Sequence, residues 1–206
     1  LVPTIDEQME VIIGKLDSTL KGAGLRVGNM IAHNLYVKKG TDPLHVIQKF
    51  HELTHRYAPE LKDRPSVGTL VLVDGMAGDG FLLEMDAVAA RPDVKGQPDN
   101  FKRVRFDDAS MPIARSVAVG DLVFLSGEEG TGPNGAISDD PLQQVEVAVK
   151  KLDATLRKSG LTLANLVKHR LFIKKGVDAE QVRRKFHEAA VKLAPGLKNK
   201  PSAESV

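Results

Sequence analysis

The chain contains no cysteine and no tryptophan, and its aromatic residues amount to seven Phe and two Tyr among 206 residues. Without cysteine there is no disulfide, no thiolate zinc site and no cysteine nucleophile. So few rings cannot build the stacking platforms of single-strand nucleic-acid binders. The near balance of 29 basic and 27 acidic side chains leaves a net charge of only +2, not a basic footprint. Nucleic acid is therefore not an expected partner. No apolar run approaches the roughly 18 residues that cross a bilayer. The stretch from Leu1 to Asp17 also lacks a basic-then-apolar leader layout, so the expectation is a cytoplasmic protein without membrane contact. No His and carboxylate residues fall at ligand spacing, and neither a metal nor an organic cofactor is expected.

What is abundant is self-similarity. Lys15–Ser66 returns as Lys151–Ser202 at a constant offset of 136 without a gap, with 25 of 52 positions identical. Lys38-Lys39-Gly40 recurs as Lys174-Lys175-Gly176, and Lys49-Phe50-His51-Glu52 as Lys185-Phe186-His187-Glu188. So long a period marks a duplicated domain rather than a solenoid. The copies are read as residues 1–91 and 101–206, joined by a polar linker at 92–100 containing Gly and Pro. Nothing before Leu1 corresponds to Phe101–Ser138, and nothing after Val206 corresponds to Val67–Ala90. The expectation is a longer tandem protein trimmed at both ends, which an initial leucine favours, or else a permuted arrangement.

Apolar residues at three- and four-residue spacing (Met9, Ile12, Ile13, Leu16, Leu20) predict a helix over 5–23, with Asp6 as its cap and Gly24 as its stop. Its counterpart spans 141–158 and stops at Gly160. Alternation predicts a strand over 31–38, with His33, Leu35 and Val37 on one face and Asn34, Tyr36 and Lys38 on the other. The repeat transfers that strand to 167–174. A second helix is expected over 43–57 and again over 179–193. Strands are expected at 67–73, 81–89 and 102–106, and as a pair over 116–126 turning at Val119-Gly120-Asp121. This order makes an α+β fold, with helices on one face of a mixed sheet. Leu35, Val37, Leu83 and Val123 are expected on the other face, requiring cover by another sheet or subunit.

The motifs occur in an order that resembles the YjgF/RidA family of reactive-intermediate deaminases, also called endoribonuclease L-PSP-like. Val119-Gly120-Asp121-Leu122-Val123-Phe124-Leu125-Ser126-Gly127 resembles the family's serine–glycine strand. Gln8 and Gln144 sit at its helix-start glutamine, and Leu20 to Leu25 and Leu156 to Leu161 match its helix end. Arg64-Pro65-Ser66-Val67-Gly68-Thr69-Leu70 resembles the arginine segment, and Leu83-Glu84-Met85-Asp86-Ala87-Val88-Ala89 the closing acidic strand. The resemblance implies a chorismate-mutase-like fold, trimers with clefts between neighbours, and hydrolysis of enamine and imine acids such as 2-aminoacrylate to keto acid and ammonia. It places Arg64 and Glu84 as catalytic residues, with Arg64, Ser66, Ser126 and Gly127 binding substrate.

A guanidinium grips a carboxylate through two parallel charge-assisted bonds, which suits Arg64 to an imino or keto acid. Glu84 would place water or carry protons, and the backbone N–H groups near Ser126-Gly127 would orient the substrate. Three departures from the family favour an alternative, a non-catalytic small-acid-binding or scaffold protein. Pro112-Ile113 stands where the family has a tyrosine, Glu128-Glu129 follows Ser126-Gly127, and Lys200 replaces the arginine in the second copy. The repeated pairs His33/His169 and His51/His187 are read as structural.

Overall fold

Thr4 starts the first helix, because its hydroxyl accepts from Glu7 N while the Glu7 carboxylate accepts from Thr4 N. This reciprocal cap satisfies two donors that a helix end would otherwise leave unpaired. Asp6, the cap expected from the sequence, instead lies inside the first turn, where a negative charge favours the helix end. The computed structural model describes residues 4–92, 99–108, 110–199 and 203–205. They divide into two compact units, Leu1–Gly127 and Glu128–Val206.

In the first unit α1 (Ile5–Gly22) ends at Gly24, whose φ of 70° is the left-handed stop that the sequence predicts. β1 (Met30–Lys38) leads through α2 (Pro43–Tyr57) to β2 (Val67–Val73), which lies parallel to β1 as a helical crossover requires. β3 (Leu83–Ala89) returns antiparallel on the other side of β1, giving a mixed sheet in the order β2-β1-β3. Met9 and Ile13 of α1 and Val46, Phe50 and Leu53 of α2 pack with Leu35, Val37 and Leu83, each at most 3% exposed.

That packing corrects one expectation. Leu35, Val37 and Leu83 face the helices and are already covered, whereas Val123 sits half-buried on a different strand. The residues on the other side of β1 and β3 are Asn34, Tyr36 and Lys38, with Glu84 opposite Tyr36 and Asp86 opposite Asn34. Asn34 Nδ2 and the Tyr36 hydroxyl both donate to the Asp86 carboxylate, at 2.7 and 3.0 Å. A face satisfied in this way does not demand an apolar cover, so the argument for a subunit contact there loses its premise.

β4 (Lys102–Arg105), β5 (Ala114–Val119) and β6 (Leu122–Leu125) form an antiparallel meander that also belongs to the first unit. Gly120 turns β5 into β6 with φ 54°. The meander joins the start of β2: Ala114 N donates to Ser66 O, and Gly127 N donates to Gly68 O. Ile31, Val67, Ala114 and Val117 bury a second small core there. The compact unit thus closes at Gly127 rather than in the 92–100 stretch, because strands that the repeat counts with the second copy complete the sheet region of the first.

The second unit holds α3 (Pro141–Lys158), β7 (Lys168–Arg170), α4 (Ala179–Leu193) and β8 (Ala203–Ser205). β7 is much shorter than the 167–174 strand expected from the repeat. β1 has partners on both edges, whereas among the described residues β7 has a single three-residue one, and a ladder extends only as far as it is paired. The parallel register is nonetheless conserved between copies: Lys168 faces Ala203, as Ala32 faces Val67. Among the described residues no helix is long and apolar enough to cross a membrane.

Candidate functional site

Pro59 opens a short 3-10 turn, Pro59–Lys62, whose end brings Arg64 to the entry of β2, with Arg64 N donating to Glu60 O at 2.9 Å. The loop that follows is held by its carbonyls. Arg103 Nε donates to Pro65 O at 3.0 Å, and Arg105 Nη1 reaches Lys62 O and Asp63 O at 3.3 and 3.4 Å. The Arg103 guanidinium also forks onto the Asp99 carboxylate, Nη1 to Oδ1 at 2.6 Å and Nη2 to Oδ2 at 3.1 Å. Arg64 joins the same group: its Nη1 donates to the backbone oxygen of Asp99 at 3.0 Å and lies 3.6 Å from Oδ2. The Asp99 side chain is 1% exposed, that of Arg103 7% and that of Arg64 22%.

Ser66 points inward. Its hydroxyl lies 3.0 Å from His33 Nδ1, and both residues are buried. The His33 ring packs in a tilted arrangement 4.5 Å from Phe50, and burial, with the nearby His51 second, pushes its pKa down to about 3. A neutral imidazole enclosed in this way does not exchange protons with a ligand near neutral pH. Ser126 is a staple rather than a ligand: its hydroxyl donates to Ala114 O at 2.7 Å and accepts from Gly68 N at 2.9 Å. Its own N–H goes to Arg115 O. The Gly127 N–H is shared between Gly68 O at 3.4 Å and Thr69 Oγ1 at 3.1 Å. The two amides expected to orient substrate are therefore committed within the protein.

The structure gathers Arg64, Ser66, Ser126 and Gly127 around the first residues of β2, and it leaves Glu84 apart. Glu84 is exposed on β3 opposite Tyr36, four residues along β1 from the position facing Val67, which is about 13 Å along the strand. Of the five expected site residues, Arg64 alone carries a donor edge left for a ligand. Its Nε and Nη2 have no partner among the described residues. Lys200, the counterpart of Arg64, lies outside the described residues. Glu128 accepts from the Thr155 hydroxyl at 3.0 Å within the second unit. A cavity of about 400 Å³ in that unit is lined by Leu166, His169, Phe186 and Leu197 among others, the counterparts of Met30, His33, Phe50 and Leu61. Among the described residues no cluster of His, Asp and Glu could hold a metal ion.

Two residues at this site escaped the sequence. Asp99 and Arg103 are four apart, but outside a helix, so no periodic signal marks them. Gly68 is the other local requirement. A Cβ there would lie 2.6 Å from His33 Nε2 and 3.2 Å from Ile113 Cγ2. His33 is held by Ser66 and Phe50 and has little room to retreat. Gly68→Ala is therefore expected to destabilise the first unit by about 1–3 kcal/mol, read as a lower denaturation midpoint.

Residues 107–203 match the family model of endoribonuclease L-PSP. No curated protein matches the chain. Among solved structures, chorismatase aligns over 99% of this chain and 66% of its own, with a TM-score of 0.58 and 15% identity. A putative endoribonuclease of Thermotoga maritima aligns over 50% of this chain and 81% of its own, with a TM-score of 0.40 and 22% identity. A Mycobacterium tuberculosis member of the YjgF/YER057c/UK114 family covers 43% of this chain and 70% of its own, with a TM-score of 0.36 and 20% identity. The α+β architecture is the chorismate-mutase-like fold. Its 107–203 segment, somewhat less than half of the chain, is similar to the YjgF/RidA family.

Proposed function

We propose that the first unit binds small 2-imino and 2-enamino acids through Arg64 and hydrolyses them to the keto acid. The family match of residues 107–203 supports the reaction class. The observation that carries the reading is the Arg64 guanidinium, fixed through Nη1 and presenting Nε and Nη2 at a partly open position. Those two donors match the two oxygens of a carboxylate. The reaction consumes one water. An enamine first becomes the imine as a proton moves from nitrogen to C3; the oxygen of water then bonds to the imine carbon, the C–N bond breaks, and the nitrogen leaves as ammonia with the two protons that water supplied. The guanidinium's share is to hold the acid and to offset its charge while water adds.

A second reading, acid binding without catalysis, draws on a specific observation: neither Glu84 nor His33 is placed to move a proton at the Arg64 edge. Keto-acid release from enzymatically generated 2-aminoacrylate separates the two. Under the deaminase reading release exceeds the spontaneous rate and falls to it in Arg64→Ala. Under the binding reading release stays at the spontaneous rate in both proteins. Calorimetry with pyruvate is expected to show about one site per chain under either reading, weakened roughly ten- to hundredfold by Arg64→Ala. Binding left intact by Arg64→Ala would remove Arg64 as the anchor.

A further inference from the structure

We infer that Asp99, braced by Arg103, is a positioning residue that presents the Nε–Nη2 edge of Arg64 to a small carboxylate. The inference rests on the acid-binding reading of Arg64 and adds to it the group that makes that arginine selective and ready.

Charge gives the first argument. One carboxylate lies among two guanidiniums, but the three contacts are unequal. Arg103 takes both Asp99 oxygens, at 2.6 and 3.1 Å, and the resulting pair is neutral and almost wholly buried. Arg64 is held mainly by the uncharged backbone oxygen of Asp99 at 3.0 Å, with the carboxylate at 3.6 Å. Among the described residues the group as a whole keeps one uncompensated positive charge. It sits on Arg64, the most exposed of the three side chains. A single monoanion balances it.

Geometry gives the second. An arginine side chain has several rotatable bonds, and a ligand that must freeze them loses affinity. Here Nη1 is already anchored, and the plane of the guanidinium is set by a segment that is itself tied down. Arg103 binds Phe101 O at 3.1 Å on that segment and Pro65 O at 3.0 Å on the Arg64 loop, so one side chain fixes both ends of the contact. The Asp99 carboxylate also accepts from Phe101 N at 3.2 Å. What remains unoccupied on Arg64 among the described residues is the two-donor edge, aligned before any ligand arrives.

Asp99→Asn keeps the shape but removes the charge that Arg103 forks onto, and turns one acceptor into a donor facing Arg103. Arg103→Lys keeps a charge beside Asp99 but loses the fork and the contacts to Pro65 and Phe101. Pyruvate affinity by calorimetry, and the Arg64 Nε–Hε signal in ¹⁵N spectra without ligand, are the two readouts. Asp99→Asn is expected to weaken pyruvate roughly tenfold and to move the Arg64 signal toward the position of free arginine. Arg103→Lys should move both in the same direction, and it serves as the test if Asp99→Asn does not fold. Where 2-aminoacrylate turnover is measurable, KM should rise with little change in kcat, because the brace acts on binding. Unchanged affinity and an unmoved signal in both variants would overturn the assignment. Tighter pyruvate binding would overturn it too, because Asp99 would then be a competitor for Arg64. If wild type fails to bind pyruvate while the Arg64 signal still moves in the variants, the brace stands and the acid-binding reading falls.

Discussion

Acidification from pH 7 to pH 4 is expected to remove roughly 3 kcal/mol of stability from the first unit through His33 alone. Burial, and then His51, depresses the His33 pKa to about 3; burial, and then His55, depresses that of His51 to about 4. The unfolded chain takes up a proton on each near the ordinary value of about 6.5, whereas the folded chain does not until much lower pH. Stability is therefore fully present above that ordinary value and falls by about 1.4 kcal/mol per pH unit for each such histidine. For His33 the loss continues down to its folded pKa. The informative window is pH 6.5 to 5, above the range where ordinary carboxylates titrate. Urea midpoints across this window should decline for wild type and decline less for His33→Asn, which keeps a polar group beside Ser66. A wild-type midpoint constant from pH 7 to 5 would contradict the burial of neutral imidazoles.

Replacing Phe50 by alanine is expected to cost about 3–5 kcal/mol, enough to unfold the first unit of a marginally stable protein. Phe50 is 1% exposed, packs at a tilt against His33 at 4.5 Å and meets His51 edge-on at 5.2 Å, so the cavity would open at the centre of the helix–sheet core. The duplication supplies an internal control. Phe186 occupies the same place in the second unit and stacks on His169 at 4.4 Å, but it is 9% exposed and lines an open cavity. Phe186→Ala should cost distinctly less, since its surroundings already admit solvent. Chemical denaturation followed by a probe in each unit would check the order, and equal losses would show that the two cores are equally closed.

Much of the first unit was legible because its elements are written in period. Met9, Ile13 and Leu20 announced α1, and the alternation from Ile31 to Lys38 separated the faces of β1 correctly. The expectation of an uncovered apolar face fails. Leu35 and Val37 share the alternation of His33, and that side of β1 faces the helices. Strand length in the second copy also misled. Sequence identity at 167–174 transferred a strand, but a strand needs neighbours, and β7 has a ladder of three residues. At the site, Arg64 was visible through its motif and its flanks. The amides at Ser126 and Gly127 looked available because a sequence shows which N–H groups exist and not which carbonyls they meet. Asp99 and Arg103 could not be seen for the same reason: Arg103 donates to the backbone oxygen of Pro65 and Asp99 accepts from the Arg64 side chain, both on a loop far earlier in the chain.

The staple between Ser126 and Gly68 spans 58 residues, and this matters during synthesis. β2 stands at the edge of its three-stranded sheet, and the segment that joins its first residues is translated only after Val73 and a further 53 residues. At ribosomal speeds of about 5–20 residues per second, that is a wait of roughly 3–10 s. Throughout it the nascent sheet offers an unpaired edge at Gly68 and Thr69, the kind of template on which neighbouring chains pair wrongly. Holdase chaperones at the exit tunnel would find their opportunity in this interval, which closes when Ser126 reaches Gly68.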